Sequence, residues 1–164
     1  TFYQTGPNGL FIFLKCSIWF YNQRKKDFND LCVIHDQARK QELKAANLEA
    51  AFKPLKIAAI EEDLFSYNIY VATIDEKIVA FVAFSDDELA WLYVDPSFQK
   101  QGIGSKLIEF SLTKMKRPTY LEVLTGNPAK SLYLHKGFKF LKHESGKMPG
   151  NEIFHVEVDL LIYK

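Results

Sequence analysis

Apolar and polar positions divide the chain into a mainly helical first part and a strand-rich remainder. "SIWFYNQR" (17–24) is dense in β-forming residues and predicts a strand. Asp27 and Asn29 then offer helix caps, and Leu31, Ile34 and Ala38 fall at helical spacing. A helix is therefore expected from Phe28 to Lys44. A second helical stretch runs from Ala45 to Phe52 and is expected to stop at Pro54. Residues 57–66, "IAAIEEDLFS", read equally as helix or loop. Next, "NIYVATIDEKIVAFVAFSD" is two β-rich runs around Asp75-Glu76, which predicts a hairpin of 69–74 and 77–85. "ELAWLYV" (88–94) is a third run, closed by Asp95-Pro96. Ile103, Leu107, Ile108 and Leu112 make a helical stripe between Gly102 and Met115, and "TYLEVLT" (119–125) is another strand. Asn127-Pro128 opens a helix that ends at Gly137. "FKFLKH" (138–143) and "EIFHVEVDLLIY" (152–163) flank the turn-rich "ESGKMPGN" and predict a last hairpin. The order is β-αα-βββ-α-β-α-ββ. That is α/β (α+β) by class, one mixed sheet of about seven strands with helices on both faces.

A length of 164 residues suits one domain with a sizeable core, and 48% apolar with 25% charged residues is ordinary globular composition. The net charge of +1 gives no basis for broad capture of nucleic acid or an anionic membrane, so neither is expected as a partner. "GLFIFLKCSIWFY" (9–21) is the most apolar segment. Lys15 interrupts it, and it is shorter than a bilayer span requires. No basic leader or clear cleavage site accompanies it, so it reads as a strand or packed arm. Residues 1–16 are set apart as an arm of uncertain role, expected to pack on the sheet edge or on a partner chain in a homodimer. Residues 17–164 form the domain. Cys16 and Cys32 are expected as reduced, buried thiols of a cytoplasmic protein. The histidines are scattered and suggest no metal.

Gly102 and Gly104 stand where a helix begins, immediately after a strand and a short loop. Helix-start amides lack intrahelical partners, and the macrodipole adds partial positive charge, so this is a place for an anionic phosphate. Glycine admits positive φ and close approach of the backbone, and Lys100 and Lys106 add charge. The alternative is that the glycines merely turn the chain. The stretch lacks the third glycine and downstream acid of the dinucleotide fingerprint, and there is no G-x-x-x-x-G-K-[ST].

Gln99-Lys100-Gln101-Gly102-Ile103-Gly104 fits Q-x-x-G-x-G, which resembles the pyrophosphate-binding signature of the GNAT superfamily of acyl-CoA N-acyltransferases. "LAWLYVDPSFQKQGIGSKLI" resembles that family's fourth strand, loop and third helix. "LEVLTGNPAKSLYLHKGFKF" (121–140) resembles the next strand and helix, with Asn127, Ala129, Tyr133 and Gly137-Phe138 in the family's spacing. The resemblance spans about residues 17–163.

The resemblance implies a splayed central sheet and an acyl-CoA, acetyl-CoA foremost, as cosubstrate. Its pyrophosphate would lie on the signature, Gln99 and Lys100 included, held by the amides of Gln101, Gly102, Ile103, Gly104 and Ser105. The backbone of Leu92, Tyr93 and Val94 would pair with the pantetheine arm, and Asn127 would contact it. A substrate amine would attack the thioester directly. That attack needs a proton acceptor for the amine, a donor for the developing oxyanion and a proton for the leaving thiolate. The resemblance offers the amide of Val94 for the oxyanion and Tyr133 for the thiolate; the alternative for Tyr133 is a core or surface aromatic. Glu88 is the implied base, against a solvated strand end in "DDE" (86–88). Glu122 is a second candidate, and waters serve some members instead. The helix "HDQARKQEL" (35–43) brings His35, Asp36 and Arg39 within one turn of each other, with Glu42 three residues past Arg39. They are either an acceptor-binding set or an ordinary salt-bridged helix face. The whole reads as an N-acetyltransferase for a primary amine, the alternative being a non-catalytic acyl-CoA-binding or regulatory module.

Overall fold

The computed structural model describes residues 4–6, 10–12 and 18–164, with side chains from Phe20 onward except that of Tyr21. Cys16 and most of the apolar segment 9–21 lie outside the described side chains.

Strands β1 (Gln4–Gly6), β2 (Leu10–Ile12), β3 (Ile18–Asn22), β4 (Asn68–Ile74), β5 (Lys77–Phe84) and β6 (Leu89–Val94) form one sheet in chain order, each antiparallel to the next. Strands β7 (Thr119–Leu124), β8 (Lys139–Met148) and β9 (Asn151–Tyr163) form a second, ordered β7-β9-β8. The expectation of one seven-stranded sheet is thus corrected to two sheets. Strands β6 and β7 meet only near their starts. There a parallel bridge joins Glu88 to Tyr120, and Tyr120 N–H donates to Asp87 O at 2.7 Å. Beyond that point the strands part, as twisting neighbours can once no ladder holds them. Leu132 and Tyr133 line the gap between them.

Helix α1 (Phe28–Ala45) matches its predicted span almost to the residue. The second helix does not. Residues 49–51 form one 3-10 turn, and helix α2 (Leu55–Glu61) begins immediately after Pro54 rather than ending before it. The proline's fixed φ suits the entry to a helix as well as its exit, and only the tertiary context decides between them. Asp36 on α1 supplies that context by accepting from Leu55 N–H at 2.8 Å. Residues 57–66 resolve into the end of α2 and a 3-10 turn at Leu64–Ser66. The last hairpin is longer than expected. Strand β8 continues through "ESGKM", leaving Pro149-Gly150 as the turn, because β9 pairs with it as far as Met148↔Asn151.

Helices α1 and α2 cover one face of the first sheet, while α3 (Ile103–Leu112) and α4 (Ala129–His135) lie on the other side. Strand β6 serves both layers by alternation: Trp91 and Tyr93 pack with the α1/α2 cluster, Leu92 and Val94 with the α3 cluster. A third cluster of Leu43, Ala51, Leu124, Met148 and Val156 ties the end of α1 to the second sheet. Cys32 is buried and unpaired in a disulfide, and burial, then Asp36, pushes its thiol pKa up.

Candidate active site

The gap between β6 and β7 leaves a strand edge without a neighbour. Asp95 N–H donates to Val79 O at 2.8 Å, on the β5 side. Strand alternation therefore turns the N–H groups of Val94 and Leu92 to the opposite side, into the gap. The Val94 carbonyl faces the same way and accepts from Gln99 Nε2 at 3.2 Å.

At the far end of this edge the chain turns into α3. Lys100 has φ +60° and Gly102, the helix N-cap, has φ +82°. The first α-type bond of the helix runs from Lys106 N–H to Gly102 O at 3.1 Å, so the amides of Ile103, Gly104 and Ser105 lack intrahelical partners. No acidic residue occupies the first turn. The two glycines serve different ends. A Cβ on Gly102 would meet nothing within 4 Å, so its backbone angle is the constraint. A Cβ on Gly104 would stand 3.3 Å from Leu132 Cδ2 and 3.7 Å from Val94 Cγ2, so there the constraint is space, where α3 meets α4 and β6.

These elements enclose a cleft of about 530 Å³. Leu92, Tyr93 and Val94 line it from β6. Gln99, Lys100, Gly102, Ile103, Gly104 and Ser105 line it from the loop and helix, and Asn127 and Tyr133 from the second sheet's side. Gln101 is the exception among the residues expected to hold the cosubstrate: its side chain is exposed and lies outside the lining. Asn127 accepts from Ala129 N–H at 2.9 Å and donates through Nδ2 to Glu42 Oε1 at 2.8 Å. Tyr133 is buried, and burial together with the Glu42 carboxylate holds its phenol well above the ordinary tyrosine range.

A second cavity of about 380 Å³ adjoins the first, and Glu42, Ala90, Tyr93 and Glu122 line both. Glu88 lines only the second, where its Oε2 accepts from Tyr67 O–H at 3.0 Å. The structure therefore places Tyr133 and Glu88 on different cavities. Burial, then the Glu88 carboxylate, pushes the Tyr67 phenol up to about 12. Glu122, whose direction the strand parity left open, points to the clefts. Desolvation, then Glu144 and Glu88, raises its pKa. Glu61 and Glu62 add carboxylates to the second cavity, and Arg39 and Lys53 add cations.

Glu42 is the functional candidate that sequence reasoning underused. It accepts from Arg39 Nη1 at 2.6 Å, from Asn127 at 2.8 Å and from Tyr93 O–H at 3.5 Å. Its sequence signal was only the helix-face spacing to Arg39. Its tie to Asn127, 85 positions away, has no local trace.

Comparison with known proteins agrees with this geometry. Residues 66–140, from the turn before β4 through the start of β8, match the family model described as an acetyltransferase (GNAT) domain. The matched segment is similar to GNAT acetyltransferase domains. It contains β6, the glycine turn, α3 and α4, so most of the first cleft's lining lies within the match. An uncharacterized N-acetyltransferase of Escherichia coli strain K12, YafP, is 25% identical over 138 residues, covering 78% of this chain and 85% of its own. A GCN5-related N-acetyltransferase structure from Rhodopseudomonas palustris superposes with a TM-score of 0.72 at 16% identity, over 88% of this chain and 94% of that one. The structure of yncA, a putative acetyltransferase from Salmonella typhimurium with its cofactor acetyl-CoA, gives 0.59 at 16% identity, over 90% and 93%. The GNAT fold thus extends over most of the chain.

Proposed function

We propose that the chain is an acyl-CoA-dependent N-acetyltransferase that moves an acetyl group from acetyl-CoA to a primary amine. One observation carries the reading: the unpaired β6 edge and the α3 N-terminus share a cleft, and that cleft adjoins a second cavity rich in carboxylates. Acetyl-CoA, when bound, supplies an activated thioester carbonyl. The residues fit such a molecule. The amides of Ile103, Gly104 and Ser105, with Lys100 beside them, suit the pyrophosphate; the exposed Gln101 contributes through its backbone. The free N–H groups of Leu92 and Val94 suit the amide-bearing arm, with Asn127 on the opposite wall. The Val94 N–H, fixed by the ladder behind it, is the donor for the oxyanion.

Tyr133 remains protonated throughout the physiological range, because burial and Glu42 disfavour its phenolate. Its O–H is the donor to the departing thiolate. Glu122 and Glu88 give the second cavity a negative field that attracts an ammonium group, and either carboxylate is a candidate to bring it to the reaction centre. The buried free thiol of Cys32 suits a reducing cytoplasm, and no described helix is long and apolar enough to cross a membrane.

The test is incubation of the protein with acetyl-CoA and a panel of amines, reading released thiol. Turnover on at least one amine is expected. Measurable acetyl-CoA binding with no turnover on any amine would replace the enzyme by a binding or regulatory module; absence of binding as well would remove both readings.

A further inference from the structure

His35 is the titratable group that the reading above leaves without work. It sits on α1, in register with the buried Leu31 and Ala38, and its side chain is 2% exposed. Burying an imidazole costs desolvation, so its polar atoms need an account. Nδ1 lies 2.9 Å from Asp36 Oδ1. A carboxylate accepts, so Nδ1 carries the proton and Nε2 carries a lone pair. The same Oδ1 accepts from Leu55 N–H, which anchors Asp36 against the start of α2. The ring is held edge-on to Tyr93 at 4.7 Å and beside Trp91 at 5.9 Å.

Nε2 makes no hydrogen bond to any described residue, yet no sealed-off side-chain nitrogen or oxygen lacks a partner among the described residues. Nε2 therefore reaches open space, and the space that His35 lines is the second cavity. A buried imidazole with one nitrogen tethered to a carboxylate and the other bare toward a cavity is arranged to take a proton from whatever enters.

We propose that His35 is the proton acceptor for the incoming amine, and that Asp36 is the positioning residue that fixes its tautomer. The inference rests on the acyltransferase reading. In that reaction the amine lone pair forms the N–C bond. The C–S bond breaks with its electron pair on sulfur, and the proton shed by nitrogen passes to His35 Nε2. The thiolate is protonated from Tyr133 O–H, and exchange with water restores both residues. An amine nitrogen already bonding to carbon is far more acidic than a free ammonium, so a weakly basic imidazole suffices. The charged and titratable groups facing His35 are Asp36, Arg39 and Glu42 of α1 and the Tyr93 phenol of β6; Glu62, after α2, lines the same cavity. Burial dominates among these influences and lowers the His35 pKa, so Nε2 is bare at neutral pH.

The experiment uses the full chain, acetyl-CoA and whichever amine of the panel turns over, with an alkyl diamine, an aminoglycoside and a short peptide with a free α-amine included. His35→Gln is expected to lower kcat about a hundredfold while acetyl-CoA binding persists. The wild-type acid limb of kcat/KM should lie below about pH 6.5 and be absent from the variant. Asp36→Asn should move that limb to still lower pH. A second measurement does not depend on the fold of His35→Gln. In the His135→Gln, His143→Gln, His155→Gln chain His35 is the remaining histidine, and its ring nitrogens are observed by ¹⁵N NMR at pH 7.5. Protonated Nδ1 and bare Nε2 are expected. A wild-type rate and pH profile in His35→Gln, or a protonated Nε2, overturns the proposal while leaving the acyltransferase reading intact. Failure of the wild type on every amine overturns that reading, and this inference with it.

Discussion

Gly102→Ala and Gly104→Ala form a matched pair that separates a backbone requirement from a spatial one. At Gly102 the φ of +82° lies in the left-handed region, and a methyl group would meet nothing within 4 Å. The cost is therefore conformational, about 1–2 kcal/mol for an L residue. In a chain of this size about 1 kcal/mol corresponds to a fall of roughly 2–4 °C in Tm. If the loop instead relaxes to an ordinary φ, the first amides of α3 re-aim, and acetyl-CoA affinity falls about tenfold for each 1.4 kcal/mol of lost contact. At Gly104 the backbone is helical, so alanine gains up to about 1 kcal/mol of helix propensity. Against that gain, Leu132 must yield from 3.3 Å. The two effects nearly cancel, and Tm should change less than in Gly102→Ala. Thermal unfolding and calorimetric titration with acetyl-CoA measure both quantities. A Gly102→Ala protein with wild-type Tm and wild-type affinity would refute the reasoning, because it would show that the loop needs no left-handed residue.

The other expectations are briefer. Tyr133→Phe should lower kcat by tenfold or more with little effect on acetyl-CoA affinity; an unchanged kcat removes Tyr133 from the thiolate. Glu42→Ala strips Arg39, Tyr93 and Asn127 of a common acceptor, and should destabilise by about 2 kcal/mol in chemical denaturation; a change under about 0.5 kcal/mol would mean that water replaces the carboxylate. The folded-state pKa of His35 lies below its unfolded value. Below about pH 6.5 the unfolded chain binds the proton first, so this stability is present above that pH and is lost as pH falls toward the folded pKa. Denaturation curves between pH 7.5 and 5 should show that slope, and His35→Gln should lack it. Finally, β1 and β2 extend the first sheet at β3. The full chain is expected to elute as a dimer on gel filtration and a chain lacking residues 1–16 as a monomer; the same monomer in both would remove the arm from assembly.

Much of the fold was written locally. Helix α1, the β4–β5 hairpin and α3 follow from apolar period and turn chemistry, and most residues of the glycine signature line the first cleft. The failures share a cause. Pro54 carries the same local preference at a helix entry as at an exit, and the bond from Leu55 to Asp36 that settles the choice spans 19 positions. The split of the sheet depends on where β6 and β7 stop touching, which no window of sequence contains. Glu122 could not be aimed by parity without knowing which face of β7 met the gap. His35 was closer to legible: it falls four residues after Leu31 and one after Ile34, on the buried stripe, where a polar residue invites a question.

The open edge of β6 has a consequence for the life of the protein in a cell. A strand with free amides inside a fold is an unfinished sheet, and a molecule that pairs with those amides completes it. Folding and occupancy are then linked: at one hundred times its dissociation constant, such a ligand adds about 2.7 kcal/mol to the native state. Abundance would follow metabolism. On the reading proposed above, a scarce acyl donor would leave the chain unfolded more often and open to degradation, and a plentiful one would raise its level.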